Sequence, residues 1–211
     1  TQIAEWHQKY PRHASTRIAV NLSGRQLGSG ELVGEVAGLL ECTGIDPGTV
    51  ILEITERVLL PGEGVTVDRL RGLAGLGPSL SIDDFGTGFS SLNSLRSLPV
   101  RGVKLAREFV DRLPAPEEIG FVRAVRELVA TLGLEAVVAE GLEEESQRLA
   151  LSAIGYRLGQ GFLFGRPLTP EAAEQLLAST PAGHWALPQR SLTGTPTPRK
   201  SKRRRSDALQ S

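Results

Sequence analysis

Residues 79–92 read SLSIDDFGTGFSSL, a short apolar strand that runs into two adjacent acids and a glycine-containing loop. Leu80 and Ile82 alternate with serines, which predicts a strand, and residues 90–92 are expected to open a helix. Asp83 and Asp84 repel each other at the strand end, so a fold gains from them when a cation lies between them. A divalent cation with oxygen ligands fits this pair. The alternative is a solvated turn with an aspartate helix cap.

Apolar strands and amphipathic helices alternate six times along the chain. The predicted strands are 17–22, 50–55, 79–82, 100–105, 134–139 and 155–161, and the predicted helices include 31–42, 65–76, 117–132, 143–154 and 170–178. This alternation is typical of a parallel sheet covered by helices, either an open doubly wound sheet or a barrel. No glycine-rich phosphate loop follows the first strand, and polar residues gather at the strand ends. The prediction is therefore an α/β, TIM-like (β/α)₈ barrel.

The formal net charge of zero hides an acidic body and a basic tail. From Arg190 onward seven residues are basic and one is acidic, so 17 basic and 23 acidic residues precede it, a net charge of −6. Residues 181–211 are rich in Pro, Thr, Ser and basic residues, which predicts a disordered tail after a domain at 1–180. Specific nucleic-acid recognition by this tail is disfavoured, because no aromatic residues are interleaved with Arg199–Arg205.

Cellular location is indicated only by what the sequence lacks. No apolar run approaches the roughly 20 residues that span a membrane, and no signal-peptide pattern opens the chain. The single cysteine, Cys42, is expected to be a small core residue. A cytoplasmic location is predicted, although a region upstream of this chain can anchor a parent protein in a membrane.

Polar residues stand at the ends of six successive predicted strands. Taken singly, each has an ordinary explanation as a turn former, a surface residue or a helix-start charge. In a barrel these positions converge on one rim, where oxygen donors favour Mg²⁺ or Mn²⁺. The residues are Asn21, Glu53, Asp83 with Asp84, Lys104, Glu140 and Gln160.

Six ordered motifs resemble those of the EAL-type cyclic-di-GMP phosphodiesterases over about residues 1–178. They are NLS at 21–23, EITE at 53–56, DDFGTGFSSL at 83–92, LPVRGVKL at 98–105, VVAEGLE at 137–143 and GQGFLFGRPL at 159–168. The resemblance implies a modified TIM barrel whose rim binds two Mg²⁺ or Mn²⁺ ions. It also implies hydrolysis of cyclic-di-GMP to linear pGpG, with the two ions activating water and neutralising the phosphodiester.

The resemblance also assigns roles to individual residues. Asn21, Glu53 and Asp83 are similar to ligands of the first metal, and Asp84 to a ligand of the second or a bridging ligand. Lys104 resembles the lysine that contacts water or phosphate, and Glu140 the acid that acts as metal ligand or general base. Glu143 and Gln160 resemble residues that support the site and the guanine nucleotide. Glu56 resembles the acid that anchors the glycine loop, which the family uses to couple dimerisation to activity.

Two departures from the family pattern bear on activity. The Glu-Ala-Leu signature is absent, because the chain matches about six of the eight strands and begins at Thr1 inside a predicted helix. The missing segment carries a metal-binding Glu and a phosphate-binding Arg, so the chain alone is expected to be poorly soluble or inactive. The second departure is Ala106, where the family usually has Asp.

These departures leave a second function open, a non-catalytic cyclic-di-GMP receptor. The resemblance further implies a homodimer and an upstream sensor or cyclase-like domain in the parent protein.

Overall fold

The computed structural model describes residues 2–59, 67–88 and 92–180. In this part of the chain six strands form one sheet with the order β1 to β6, and every neighbouring pair is parallel. The strands are β1 (Ile18–Leu22), β2 (Val50–Thr55), β3 (Ser79–Phe85), β4 (Val100–Leu105), β5 (Ala136–Glu140) and β6 (Leu158–Gln160). Sequence order equals spatial order, as in a barrel wall.

Helices connect the strands. The described helices are α1 (Gln2–Lys9), α2 (Gly24–Gly28), α3 (Leu32–Thr43), α4 (Val67–Gly75), α5 (Leu92–Ser97), α6 (Arg107–Val110), α7 (Pro116–Thr131), α8 (Glu145–Ala153) and α9 (Pro170–Ser179). Short 3₁₀ turns occupy Pro11–His13, Pro47–Thr49 and Glu56–Leu59. Helix α3 ends where the sequence predicts, because Gly44 takes the left-handed conformation with φ of 63°. Among the described helices, none is both long and apolar enough to span a bilayer.

The hydrophobic core lies between one face of the sheet and the helices. Leu52 and Ile54 of β2, with Ile82 of β3, are fully or nearly fully buried and alternate with polar residues on the other face. They belong to one apolar cluster with Leu73 of α4 and Val122 of α7. Burial of this face fixes the register, so the alternate residues of each strand must point to the concave side of the sheet.

The concave side carries both polar and apolar side chains. A cavity of about 460 Å³ opens there, and its walls include Glu53, Ser81, Gly102, Lys104 and Val138. The edge strands are the least covered, since all three residues of β6 are exposed and Ala19, Val20 and Asn21 of β1 are exposed as well.

The predicted fold class is confirmed, and several element bounds are corrected. The strand expected at 155–161 is limited to Leu158–Gln160, because Gly155 has a positive φ of 89° at the turn after α8. Cys42 was wrongly expected in the core. Its side chain is exposed, since it faces away from the Val33, Val36 and Leu40 stripe that packs on the core. The predicted tail at 181–211 and the helix opening at residues 90–91 lie outside the described residues.

Candidate metal centre

One buried lysine joins the carboxyl ends of four neighbouring strands. Lys104 is 5% exposed, and its Nζ lies 2.8 Å from Oε2 of Glu53, 3.2 Å from Oδ1 of Asp83 and 2.5 Å from Oε1 of Glu140. These four residues come from β4, β2, β3 and β5, so the parallel strand order brings them to the same rim. The sequence prediction that these strand ends converge agrees with the structure at these four positions.

Charge and burial oppose each other at this cluster. Burial lowers the pKa of Lys104, but its hydrogen bonds and attraction to Glu140 and Glu53 outweigh burial and hold the pKa above its ordinary value. Burial raises the pKa of Glu140, and the bond to Lys104 offsets only part of this rise. The carboxylates at this rim outnumber the single ammonium group, so the site retains negative charge that a further cation can neutralise.

Asp83 and Asp84 both face this rim because the backbone of β3 is irregular at Asp84, although the strand continues to Phe85. Asp84 has a φ of 53°, and the β3–β4 register shifts between Ile82 and Phe85. The left-handed region tolerates Asp and Asn better than most residues, and here it interrupts the alternation of a regular strand. The backbone N–H of Asp84 also donates to Oδ1 of Asp83 at 3.0 Å.

Three acids fit a divalent cation. Asp83, Asp84 and Glu140 each offer one carboxylate oxygen, and these atoms all lie within 4.8 Å of one another. Hard oxygen donors of this kind suit Mg²⁺, Mn²⁺ and Ca²⁺. The predicted ligand set is therefore brought together for these three residues, while Glu53 contacts Lys104 directly.

Asn21 lies at the margin of the cluster. It pairs in register with Glu53 across β1 and β2, and its side chain is exposed because β1 is an edge of the described sheet. Its assignment as a metal ligand remains a prediction. Gln160 stands opposite Glu140 in the β5–β6 register, is likewise exposed, and accepts a hydrogen bond at its backbone oxygen from Leu142 N–H at 3.0 Å.

Glu56 holds the glycine loop that follows the acid pair. Its side chain is buried, and Oε2 accepts hydrogen bonds from the backbone N–H groups of Gly86 and Gly88, each at 3.0 Å. A Cβ at Gly88 would lie 2.9 Å from Cδ of Glu56, and one at Gly86 would lie 2.8 Å from Cε2 of Phe109. Glycine is required at both positions because the loop is pressed between the carboxylate and an aromatic ring.

Glu143 is turned toward a residue that sequence reasoning missed. Its Oε1 lies 2.7 Å from Nη2 of Arg107, the first residue of α6. Gln147 was missed as well, although its side chain accepts from the backbone N–H groups of Glu143 and Glu144. The acid–x–x–Gln spacing at 144–147 is a capping-box signal that predicts the Gln147 bond to Glu144. No local signal predicts the Arg107–Glu143 pair, which spans 36 residues.

Known proteins share this arrangement of motifs. The sequence profile described as EAL domain matches residues 1–167. The chain is 41% identical over 168 residues to the bifunctional diguanylate cyclase/cyclic di-GMP phosphodiesterase MucR of Pseudomonas aeruginosa, covering 79% of this chain and 24% of that protein. The chain therefore spans about a quarter of the length of this curated relative.

Solved structures agree with the fold. The PaMucR phosphodiesterase in complex with c-di-GMP matches with a TM-score of 0.74 and 37% identity, over 81% of this chain and 69% of that one. A manganese and cyclic-di-GMP complex of Klebsiella pneumoniae BlrP1 matches with a TM-score of 0.68 and 30% identity, over 80% of this chain and 43% of that one. With its motifs, its parallel sheet and its acidic rim in the family's order, this chain belongs to the EAL domain family.

Proposed function

We propose that this chain is the phosphodiesterase domain of a protein that hydrolyses cyclic-di-GMP to linear pGpG. One observation carries the proposal: Asp83, Asp84 and Glu140 present convergent carboxylate oxygens around the buried Lys104. Relatives named as cyclic-di-GMP phosphodiesterases, and neighbours solved with that nucleotide, support the choice of substrate.

The proposed cofactor is a pair of Mg²⁺ or Mn²⁺ ions. Asp83, Asp84 and Glu140 would hold them, with Glu53 and Asn21 as further donors on the β1–β2 side. When bound, such ions supply charge neutralisation of the phosphodiester and activation of water. The manganese complex of the BlrP1 neighbour supports a divalent metal.

Lys104 and Glu140 are the proposed catalytic residues. The Lys104 ammonium group can stabilise negative charge on the phosphoryl oxygens. Glu140 lies within the acidic cluster, and its carboxylate is suited to take the proton of the attacking water. Water adds to phosphorus, one P–O3′ ester bond breaks, and the product carries a 5′-phosphate and a free 3′-hydroxyl. Glu143, Gln160 and Glu56 are proposed to support the substrate and the loop.

The test measures metal binding and pGpG formation together, in a longer protein that contains this chain and the two strands that the family resemblance places before it. Asp83→Asn and Asp84→Asn should each weaken Mn²⁺ binding by about 10-fold or more and abolish pGpG formation. Asp68→Asn, which changes an exposed acid on α4, is the control and should leave both unchanged. A protein that binds Mn²⁺ and cyclic-di-GMP but forms no pGpG would establish the receptor instead, the alternative that Ala106 favours. Absence of nucleotide binding in the longer protein would overturn both.

A homodimer is also proposed, on the family's use of the loop held by Glu56. Sedimentation analysis of the longer protein with and without cyclic-di-GMP measures it directly. A monomer under both conditions would exclude it.

A further inference from the structure

Two ion pairs with the same spacing connect the end of β4 to the end of β5. Lys104 contacts Glu140, and three residues further along both segments Arg107 contacts Glu143, with Nη2 2.7 Å from Oε1. The first pair is buried, and the side chains of the second are about half exposed. The second pair therefore lies nearer to solvent than the first.

The stem of Arg107 also packs on the backbone between the two acids. A Cβ at Gly141 would lie 2.9 Å from Cδ and 3.0 Å from Cβ of Arg107, so only glycine fits beneath the arginine. Gly141 has a φ of 77°, a left-handed conformation that most side chains disfavour. Arg107 thus holds both the turn after Glu140 and the carboxylate of Glu143.

A second link holds the same segment farther along. Nε2 of the buried Gln147 donates to the backbone oxygen of Val110, the last residue of α6, at 3.1 Å. Its Oε1 accepts from Glu143 N–H at 2.9 Å and Glu144 N–H at 3.0 Å. The backbone of Glu143 is therefore fixed by Gln147, whereas its carboxylate is fixed by Arg107.

Arg107 also reaches the metal side of the rim. It lines a cavity of about 450 Å³ together with Asp84, Thr87 and Ala106. Asp111 accepts from Nε of Arg107 at 3.2 Å and limits the rotation of the guanidinium group. Nε of Arg107 is thus bound by Asp111, while Nη2 of the same guanidinium group donates to Glu143.

We propose that Arg107 is a positioning residue that sets the direction of the Glu143 carboxylate for nucleotide binding. This inference rests on the proposed function, in which Glu143 supports the substrate. Without the guanidinium group, the half-exposed Glu143 rotates toward water, away from the negative charge of the rim. Binding of nucleotide must then order the carboxylate again, which raises KM more than it lowers kcat.

The experiment compares Arg107→Ala with Arg107→Lys in the protein that carries the segment, using Mn²⁺ and cyclic-di-GMP. Arg107→Ala should raise KM about 10-fold, the loss expected for one hydrogen bond between charged groups, with a much smaller change in kcat. Arg107→Lys keeps the aliphatic stem and the positive charge, so its KM should lie close to that of wild type. Mn²⁺ affinity should stay within about 3-fold of wild type, because the Asp83–Asp84–Glu140 set is unchanged. Arg148→Ala, which breaks an exposed arginine–glutamate pair on α8, is the matched control and should alter none of these values.

A double-mutant cycle decides whether Arg107 acts through Glu143. In the Glu143→Ala background, Arg107→Ala should have no further effect on KM. An unchanged 10-fold effect there would mean that the arginine contacts nucleotide itself and would overturn the inference. Nucleotide binding by the wild-type protein separates this failure from failure of the proposed function. An unchanged KM in Arg107→Ala refutes the positioning role, whereas absence of nucleotide binding by wild type refutes the substrate assignment.

Discussion

The Nζ of Lys104 lies 2.5 Å from Oε1 of Glu140, so an amine from β4 neutralises an acid from β5 at the rim of the sheet. The same amine contacts Glu53 and Asp83. Without bound metal, the Lys104 ammonium group therefore already neutralises part of the charge of these acids. A divalent ion that binds there must compete with the ammonium group for the same carboxylates. Stability and metal affinity are coupled at this lysine.

Replacement of Lys104 should separate these two properties. Lys104→Met leaves three carboxylates without their buried partner, and we expect a loss of about 3–5 kcal/mol in the free energy of unfolding at neutral pH without metal. The same variant should bind Mn²⁺ more tightly, because the competing ammonium charge is gone, and should form no pGpG. Urea unfolding with EDTA or Mn²⁺ measures both effects. Lys9→Met, which breaks an exposed pair with Glu174, should leave the stability almost unchanged. An equal loss of unfolding free energy in the two variants would show that Lys104 does not stabilise the acidic cluster.

The raised pKa of Glu140 predicts a particular pH dependence. Burial raises it above the ordinary 4.5, so over the interval above pH 4.5 the folded chain binds a proton that the unfolded chain has released. The stability from this group is fully present below pH 4.5 and is lost as the pH rises through the raised value. In EDTA, wild type should therefore lose stability relative to Glu140→Gln as the pH increases from 4.5 toward neutrality. A constant gap between wild type and Glu140→Gln would show that the pKa is not raised.

Glu56 should stabilise the loop after the acid pair through its charge. Glu56→Ala removes the acceptor of two backbone N–H groups, and we expect a loss of about 2–4 kcal/mol with faster hydrogen exchange at Gly86 and Gly88. Glu56→Gln keeps one acceptor oxygen and should lose less. If exchange at the two glycines is the same in all three proteins, the carboxylate does not hold the loop.

Gly88 should tolerate no side chain. The methyl group of Gly88→Ala would meet Cδ of Glu56 at 2.9 Å, so we expect a loss of about 1–3 kcal/mol and a displaced Glu56. Gly38→Ala is the control, since nothing lies within 4 Å of its Cβ position on α3. That change should stabilise the chain by about 0.5–1 kcal/mol. Gly88→Ala with wild-type stability would show that the loop adapts at little cost.

Ala106 offers a gain-of-function test. Ala106 is buried and lines the 450 Å³ cavity beside Asp84, so an aspartate there has space and would add a carboxylate near the proposed metal ligands. Ala106→Asp should raise Mn²⁺ affinity and turnover in the longer protein, as the departure from the family pattern predicts. Ala106→Asn has the same shape without the charge and should give neither gain. Equal turnover in wild type and Ala106→Asp would remove this position from the site.

The sequence predicts elements well where apolar runs have clear borders. Strands β2 (VILEIT) and β4 (VRGVKL) have the predicted bounds, because each begins with a valine shortly after a proline and keeps apolar residues on its buried face. Helix α6 was missed, since one turn of four residues is too short to show a helical period. Strand β3 continues through the acid pair to Phe85, although the acids were predicted to follow it.

The sequence predicts which residues lie at the rim of the sheet, but it does not predict which way their side chains point. Strand ends in a parallel sheet share one edge, which brings Glu53, Asp83, Lys104 and Glu140 together. Which acid contacts the lysine and which acids converge depends on rotamers and on a local break in β3, and neither has a sequence pattern of its own. The same holds for Arg107, whose side chain contacts Glu143 although the two residues are 36 positions apart in the sequence.

The left-handed backbone at Asp84 has a consequence for protein engineering. Two consecutive acids grafted onto an uninterrupted strand would emerge on opposite faces and could not share an ion. A designer who wishes to transfer this acid pair must therefore transfer the irregularity of the strand with it, including the residue whose φ is 53°. In database searches, an Asp-Asp dipeptide alone is for the same reason a weaker signature than the dipeptide together with its following turn.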